Sequence, residues 1–293
     1  MQFDQQRRNA FKLPALGLAA GAMASVSVAS SVSGAKAQAE PGGLLRTILD
    51  RGHLTVGTGS TNAPWHFEDT SGKLVGMDIA MARILSQALF DDPEKVEYVR
   101  EDPASRIPNI LAGKVDVVIQ FMLTTGARAQ QIAFSRPYYV EGVALLTSAS
   151  SDVKTFEQLK SGGSGISVSV LQNADADDLV HQALPEATSV QLDTQANVIQ
   201  ALDAGRVSAA CVDLSTVRWL VARNPDRYLD SGHSYQTQLY GAGVRQEETE
   251  WLQFINTVFT VAIHGHNNAI YDAAFKEYFG QTPPARVPGF PTI

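Results

Sequence analysis

The run SRIPNILAGKVDVVIQFMLTTGARAQQIAFSRPYY, from Ser105 to Tyr139, constrains the fold more than any other part of the chain. Val115 to Ile119 is apolar and β-branched, is entered through Gly113 and is broken only by Asp116. That is the composition of a strand buried on both faces of an α/β sheet. At its carboxyl end the sequence turns polar. Thr124 and Thr125 are N-cap types for a helix through Gly126-Ala127-Arg128-Ala129-Gln130-Gln131, which puts Arg128 in the first turn. A cation is misplaced there, because the helix dipole already makes that end positive. Two readings of Arg128 stand: a surface arginine turned to water, or half of an anion site whose occupant is an external carboxylate.

The chain opens on a segment that does not belong to the fold. Arg7, Arg8 and Lys12 form a basic start, Leu13 to Val32 is weakly apolar, and Ala37-Gln38-Ala39 fits an A-x-A cleavage site, so residues 1–39 read as a signal peptide and Glu40 as the mature start. Arg7-Arg8-Asn9-Ala10-Phe11-Lys12 resembles the twin-arginine export motif, with Ala10 where Phe is expected; ordinary Sec export stays open. A membrane anchor is the competing reading, and Pro14, Gly17, Gly21 and several serines dilute the run against it. The single cysteine, Cys211, lies far from the cleavage site, which excludes a lipid-anchored mature N-terminus and an internal disulfide. The expected product is free in the periplasm.

The formal net charge of −7 over 293 residues becomes more negative once the basic leader is set aside, and no basic cluster remains. Nucleic acid and anionic membranes are therefore poor partners, and any anion must be caught by a local site. With 44% hydrophobic residues, the length suits one large domain or two smaller ones.

Strand and helix patterns then alternate. Leu54 to Thr58 reads as a strand, Met77 to Leu89 as a helix, Val96 to Val99 as a strand, and Trp65–Glu68 with Lys73–Val75 as a short hairpin around Asp69-Thr70-Ser71-Gly72. Val143 to Thr147 is a strand, and the polar Ser148 to Asp152 is a candidate linker. Thr155-Phe156-Glu157-Gln158 has capping-box spacing. A second series follows: strand Ile166–Leu171, helix Ala174–Leu184, strand Ser189–Leu192, helix Ala196–Ala204 capped by Thr194, strand Ser208–Val212 and helix Leu214–Ala222. Gln238 to Val244 is a strand leading to helices Glu248–His264 and Asn268–Phe279. Two α/β series with a helical return predict two lobes.

The blocks LTVGTGSTNAPWHFEDTSGKLVGMDIAMA, RIPNILAGKVDVVI, TTGARAQQIAFSRPYY, ALDAGRVSAACVD and YGAGVR followed by EWLQFINT, in this order, resemble the family 3 periplasmic solute-binding proteins, the polar amino-acid receptors of ABC importers. The resemblance covers nearly all of residues 44–280. It implies an α/β, two-lobe periplasmic-binding-protein fold of type II, with two hinge strands and a ligand in the interlobe cleft. Lobe 1 would comprise 44–146 with 241–280, lobe 2 would comprise 149–236, and 281–293 would form a C-terminal tail. The hinges would lie near Thr147-Ser148 and Gln238-Leu239. It further implies a monomer without cofactor or metal, whose partners are a small amino acid or related carboxylate and ABC permease subunits.

The resemblance places the grip on the ligand α-carboxylate at Arg128, with Thr124 beside it, and the ammonium partner at Asp213. From the residues alone, Asp213 ends a strand and precedes a helix, so an N-cap is the alternative role, although open α/β sheets bind ligands at such strand ends. Trp65 is either core packing or a cleft wall. Arg106 either covers the lobe or contacts the ligand side chain, as an arginine at this place does in acidic amino-acid receptors. Departures from the family pattern bear on the ligand. Its acidic side-chain reader falls on Gly59, its stacking aromatics on Asn62 and Pro103, and a small hydroxyl on Leu123, which disfavours a lysine-, arginine- or histidine-type ligand. Phe121 takes a position that is commonly small, Gln120 adds an amide beside it, and Asp175 stands at the helix start opposite Arg128, where it repels a carboxylate or caps its own helix.

Catalysis is the competing class. The chain lacks HExxH, GxSxG, a P-loop and zinc-type spacing. A few relatives of this fold are dehydratases of cyclic carboxylic acids, and Glu141 or Asp213 would be the acid in such an enzyme. A ligand-presenting sensor subunit shares every feature of an import receptor.

Overall fold

The computed structural model describes residues 43–172 and 176–289; the leader and Asp175 lie outside the described residues. In chain order the elements begin with α1 (Gly43–Arg51), β1 (Leu54–Thr58), the short strands β2 (Thr61–Asn62), β3 (His66–Glu68) and β4 (Leu74–Val75), α2 (Met77–Phe90) and β5 (Val96–Arg100). The segment richest in information follows as α3 (Arg106–Leu111), β6 (Val117–Val118), α4 (Gly126–Ala129) and β7 (Ala133–Phe134). The second series is β8 (Tyr139–Ser148), α5 (Phe156–Gly162), β9 (Ser167–Leu171), α6 (Ala176–Ala183), β10 (Thr188–Leu192), α7 (Gln195–Asp203), β11 (Ala209–Asp213), α8 (Leu214–Arg223) and β12 (Tyr228–Tyr240). The chain then returns through β13 (Gly243–Val244), α9 (Thr249–His264) and α10 (Ala269–Phe279).

Two five-stranded sheets result, ordered β5-β1-β6-β13-β7 and β10-β9-β11-β8-β12, with β2-β3-β4 as a small separate sheet. β1 pairs in parallel with both β5 and β6, so the start of the chain forms the middle of the first sheet, while β13 brings the late part of the chain back into it. Each large sheet buries both faces. On the first, α2, α9 and α10 pack Met81, Leu85, Trp251, Ile255, Phe259 and Phe279 over one side, and Ile110, Val115, Val118, Met122 and Ile132 fill the other. The buried positions Trp251, Ile255, Phe259 and Ala262 of α9 recur at the spacing of one helix face. Asp116, the lone charge in its buried run, is 6% exposed and accepts the Thr55 N–H at 2.7 Å and the Arg51 guanidinium. A charge that deep persists because it is paired.

The predicted caps form. Thr155 and Gln158 make a full capping box on α5, and Thr194 accepts from the Asn197 N–H on α7. One boundary differs from the sequence reading. Residues 139–146, assigned to the first lobe, lie in β8, which pairs with β11 and β12 in the second sheet. Ser148 at its end faces Tyr228, well inside that sheet, whereas Tyr139 faces Tyr240 and Glu141 faces Gln238. The chain therefore crosses between sheets at Ser135–Tyr139 and Tyr240–Gly243, and Thr147-Ser148 is not a crossing. β12 also starts ten residues before the predicted Gln238. Its first part alternates polar and small residues, a weak strand signal rescued by its pairing with the apolar β8.

Candidate functional site

The first half of the site is built where β6 ends. Thr125 caps α4, its hydroxyl accepting the Arg128 N–H at 3.3 Å, as the threonine pair predicted. The helix is a single turn, so its dipole is small and the argument for an anion passes to the side chains. Arg128 is half-buried and spends one nitrogen, Nη1, on the Leu123 carbonyl at 2.9 Å. Thr124 is turned to the other sheet, its N–H and its hydroxyl both donating to the Leu239 carbonyl, at 2.9 and 3.2 Å. It ties the Arg128 loop to β12.

Arg106 is 5% exposed; its Nε donates to Gln120 Oε1 at 3.0 Å, and its guanidinium lies 4.9 Å from the centre of the Phe121 ring. Burial, and then the charge of Arg128, pull the Arg106 pKa below its ordinary value. Neither guanidinium hydrogen-bonds a carboxylate among the described residues. Two arginines close enough to repel, with donors unspent, leave a local excess of positive charge suited to a carboxylate.

Phe121 explains its own unusual place. It adopts φ +35°, where glycine sits without cost, and is held there by its N–H donating to Asp78 Oδ2 at 2.9 Å. Its ring stacks on His66 at 5.0 Å between centroids. Asp78 is fully buried on α2 and also accepts from Tyr138 Oη at 2.7 Å and pairs with His66 Nδ1 at 2.8 Å. Sequence reasoning missed both Asp78 and His66. The available signal was a lone carboxylate on a helix whose buried face is otherwise apolar apart from Ser86. At Gly59 a Cβ would fall 2.6 Å from His66 Cδ2 and 2.9 Å from Gln120 Nε2, so the imidazole and the amide fill the space beside that glycine. Gly59, Asn62, His66, Glu101, Gln120 and Phe121 line a cavity of about 430 Å³. A larger concavity, about 750 Å³, between Ile263, Tyr271, Pro283 and Arg286 lies away from these charges, and its arginine is already paired with Asp272.

Trp65 packs as a buried residue in this structure. It is 2% exposed, packs edge-on to Tyr139 at 4.8 Å and Tyr240 at 5.1 Å, and donates its indole N–H to Ser215 Oγ at 3.1 Å. A ring of that size is worth most when its apolar faces are covered and its one donor is satisfied.

The second half of the site lies at the carboxyl end of β11. Asp213 occupies the N-cap position of α8 but makes no capping bond. The Ser215 N–H is taken instead by Glu141 Oε1, reaching across from β8 at 3.1 Å, and the same oxygen accepts the Gly142 N–H at 2.9 Å. The Asp213 carboxylate is thus left without a hydrogen bond among the described residues, and the N-cap alternative does not account for it. Asp213 is partly open to solvent yet hemmed in by protein, and burial pushes its carboxyl up to about 6. Glu141, 1% exposed, is raised to about 7, first by burial and then by the negative charge of Asp213. Tyr240 stands between the halves: its ring is 6.0 Å from Phe121, and burial with the charges of Asp213 and Glu141 raises its phenol.

Because Glu141 titrates higher in the folded chain than in the unfolded one, the native state holds the extra proton, and stability falls as pH rises from about 4.5 to about 7. Glu141→Gln is expected to be more stable than the parent at pH 8, by on the order of 2–3 kcal/mol. The gain should vanish near pH 4.5. Urea unfolding of the ligand-free proteins at both pH values reads the difference, and equal midpoints at pH 8 would refute it.

The end of β6 thus carries guanidinium donors without a carboxylate partner, and the end of β11 a carboxylate without a hydrogen bond, among the described residues. Comparison with known proteins agrees in kind. The bacterial extracellular solute-binding proteins, family 3, match residues 54–281. A glutamine-binding protein of an ABC transporter from Bacillus subtilis (strain 168) is 23% identical over 73% of this chain and 76% of its own. A histidine-binding periplasmic protein from Escherichia coli (strain K12) is 27% identical over 78% and 87%. Among solved structures, an ancestral cationic amino acid solute-binding protein superimposes with a TM-score of 0.69 at 25% identity, covering 80% of this chain and 99% of that one.

Proposed function

The chain belongs to the bacterial extracellular solute-binding proteins of family 3, and from that premise we propose that it captures a small zwitterionic amino acid between its lobes and delivers it to an ABC-type import permease. The observation that carries this reading is an unspent carboxylate, Asp213, at a strand end of the second sheet and unspent donors, Arg128 and Arg106, beside the first. Arg128 grips the α-carboxylate, and Asp213 takes the ammonium. Lobe closure about the two crossing segments brings the pair together around the ligand.

The cavity beside Gly59 receives the side chain. His66 and Gln120 fill the place of an acidic reader, which favours a neutral polar or acidic side chain over a basic one, against the pull of Glu101 and Asp102 elsewhere on the lining. The glutamine and histidine relatives support a polar ligand. Export to the periplasm is part of this reading, supported by the leader read in the sequence and by the periplasmic histidine-binding relative.

The test is a thermal-shift screen of amino acids against protein that has been unfolded and refolded to strip any carried ligand. A true ligand at a hundred times its Kd stabilises the folded state by about 2.7 kcal/mol. Glutamine, glutamate or aspartate is expected to raise the melting temperature. Stabilisation by arginine or lysine alone would overturn the side-chain assignment, and no response to any amino acid would overturn the function.

A further inference from the structure

Glu141 is a buried carboxyl at the sheet junction whose hydrogen bonding is incomplete. Oε1 is fixed by the Ser215 and Gly142 N–H groups, whereas Oε2 is buried without any hydrogen-bond partner among the described residues. A carboxylate oxygen left bare in protein is costly, and the cost is recovered only if something else completes it. The Ser215 hydroxyl, whose oxygen accepts the Trp65 indole N–H, lies close enough to hold the Glu141 pKa down but leaves Oε2 without a hydrogen bond, and the other groups around it do not complete it. Asp213 on β11 has the same sign. Tyr139 on its own strand receives the Arg218 guanidinium of α8 at 3.1 Å, and Arg218 hydrogen-bonds neither carboxylate. Tyr240 on β12 feels Glu141, Asp213 and, from α2, Asp78 as three negative neighbours. The junction therefore has more negative groups than it can satisfy, in the place where a cation would be bound.

We propose that Glu141 is a ligand-binding residue that stands beside Asp213 as a second carboxyl for the ammonium end of the bound amino acid, with Oε2 as the accepting atom. The proposal rests on the capture function above and extends it from one ammonium acceptor to two. In the empty cleft Glu141 keeps a proton near neutral pH, because burial and then the charge of Asp213 disfavour its ionised form. An arriving ammonium supplies a counter-charge, the proton leaves Glu141 for solvent, and both carboxylates ionise around the ligand. Binding is therefore linked to proton release and strengthens as pH rises through about 7.

Isothermal titration of the refolded mature protein with L-glutamine, L-glutamate and L-histidine, at pH 6, 7 and 8 and in phosphate and Tris buffers, reads both Kd and protons released. For whichever amino acid binds, Kd is expected to fall about tenfold from pH 6 to pH 8, with close to one proton released per ligand near pH 6.5. Glu141→Gln keeps an oxygen for the Ser215 and Gly142 N–H groups; it should remove most of the proton release, leaving only the small share from Asp213, and weaken binding about tenfold or more at pH 8. Should that variant not fold, Glu141→Ser provides the same readout. Asp213→Asn should weaken binding yet still release a proton from Glu141. Unchanged Kd and proton release in Glu141→Gln, or release lost in Asp213→Asn alone, would overturn the proposal and leave the capture function standing. Failure of every amino acid to bind the parent protein would overturn the function, and the proposal with it.

Discussion

Arg128→Ala is expected to raise the Kd for the bound amino acid about a hundredfold or more, while the ligand-free protein melts within a few degrees of the parent. Charge-assisted hydrogen bonds to a carboxylate contribute about 1.5–3 kcal/mol each, and every 1.4 kcal/mol is tenfold in Kd. The structural cost is small because the half-buried side chain gives up a single bond, from Nη1 to the Leu123 carbonyl. Arg128→Lys keeps the charge but not the planar fork, so it should recover only part of the loss. Titration calorimetry measures the affinity and scanning calorimetry the stability. An unchanged Kd would move the carboxylate grip to Arg106. A collapse in melting temperature without ligand would make Arg128 a structural residue.

How much of this site was legible before the structure depended on whether the information was local. The strand, threonine cap and arginine of Val115–Arg128 lie within one short segment, and their local geometry follows from propensity and capping chemistry. The strand-to-helix turn at Asp213 was equally plain. The freedom of the Asp213 carboxylate was not, because it depends on Glu141 arriving from another strand to take the cap. Sheet membership failed for the same reason. β8 reads as an apolar strand in either lobe, and only its partners β11 and β12 assign it to the second sheet. Trp65 sat on a loop with Pro64 and looked equally fit for core or cleft; its burial is decided by Tyr139 and Tyr240, far along the chain. His66 carried no spacing signal at all. It matters because Gly59 leaves room for it and Asp78 fixes it.

The network behind His66 carries the second large effect. Asp78→Ala is expected to destabilise the protein by about 3–5 kcal/mol, read as a lower urea midpoint with little change in slope. Three groups lean on that one carboxylate: the Tyr138 hydroxyl, the His66 ring and the Phe121 N–H. Removing it strands buried donors in a core position with no exposure to solvent, where each orphan costs about 1–3 kcal/mol. Asp78→Asn should cost less, since the amide still offers an acceptor and keeps the volume. Ligand affinity should fall as well in Asp78→Ala, because Phe121 holds its positive φ through the Asp78 bond and its ring supports Arg106 on one side and His66 on the other. An Asp78→Ala protein with an unchanged urea midpoint would show that Tyr138, His66 and Phe121 find other partners. A lower midpoint with unaltered affinity would show instead that the Phe121 stack is core packing without influence on the cavity.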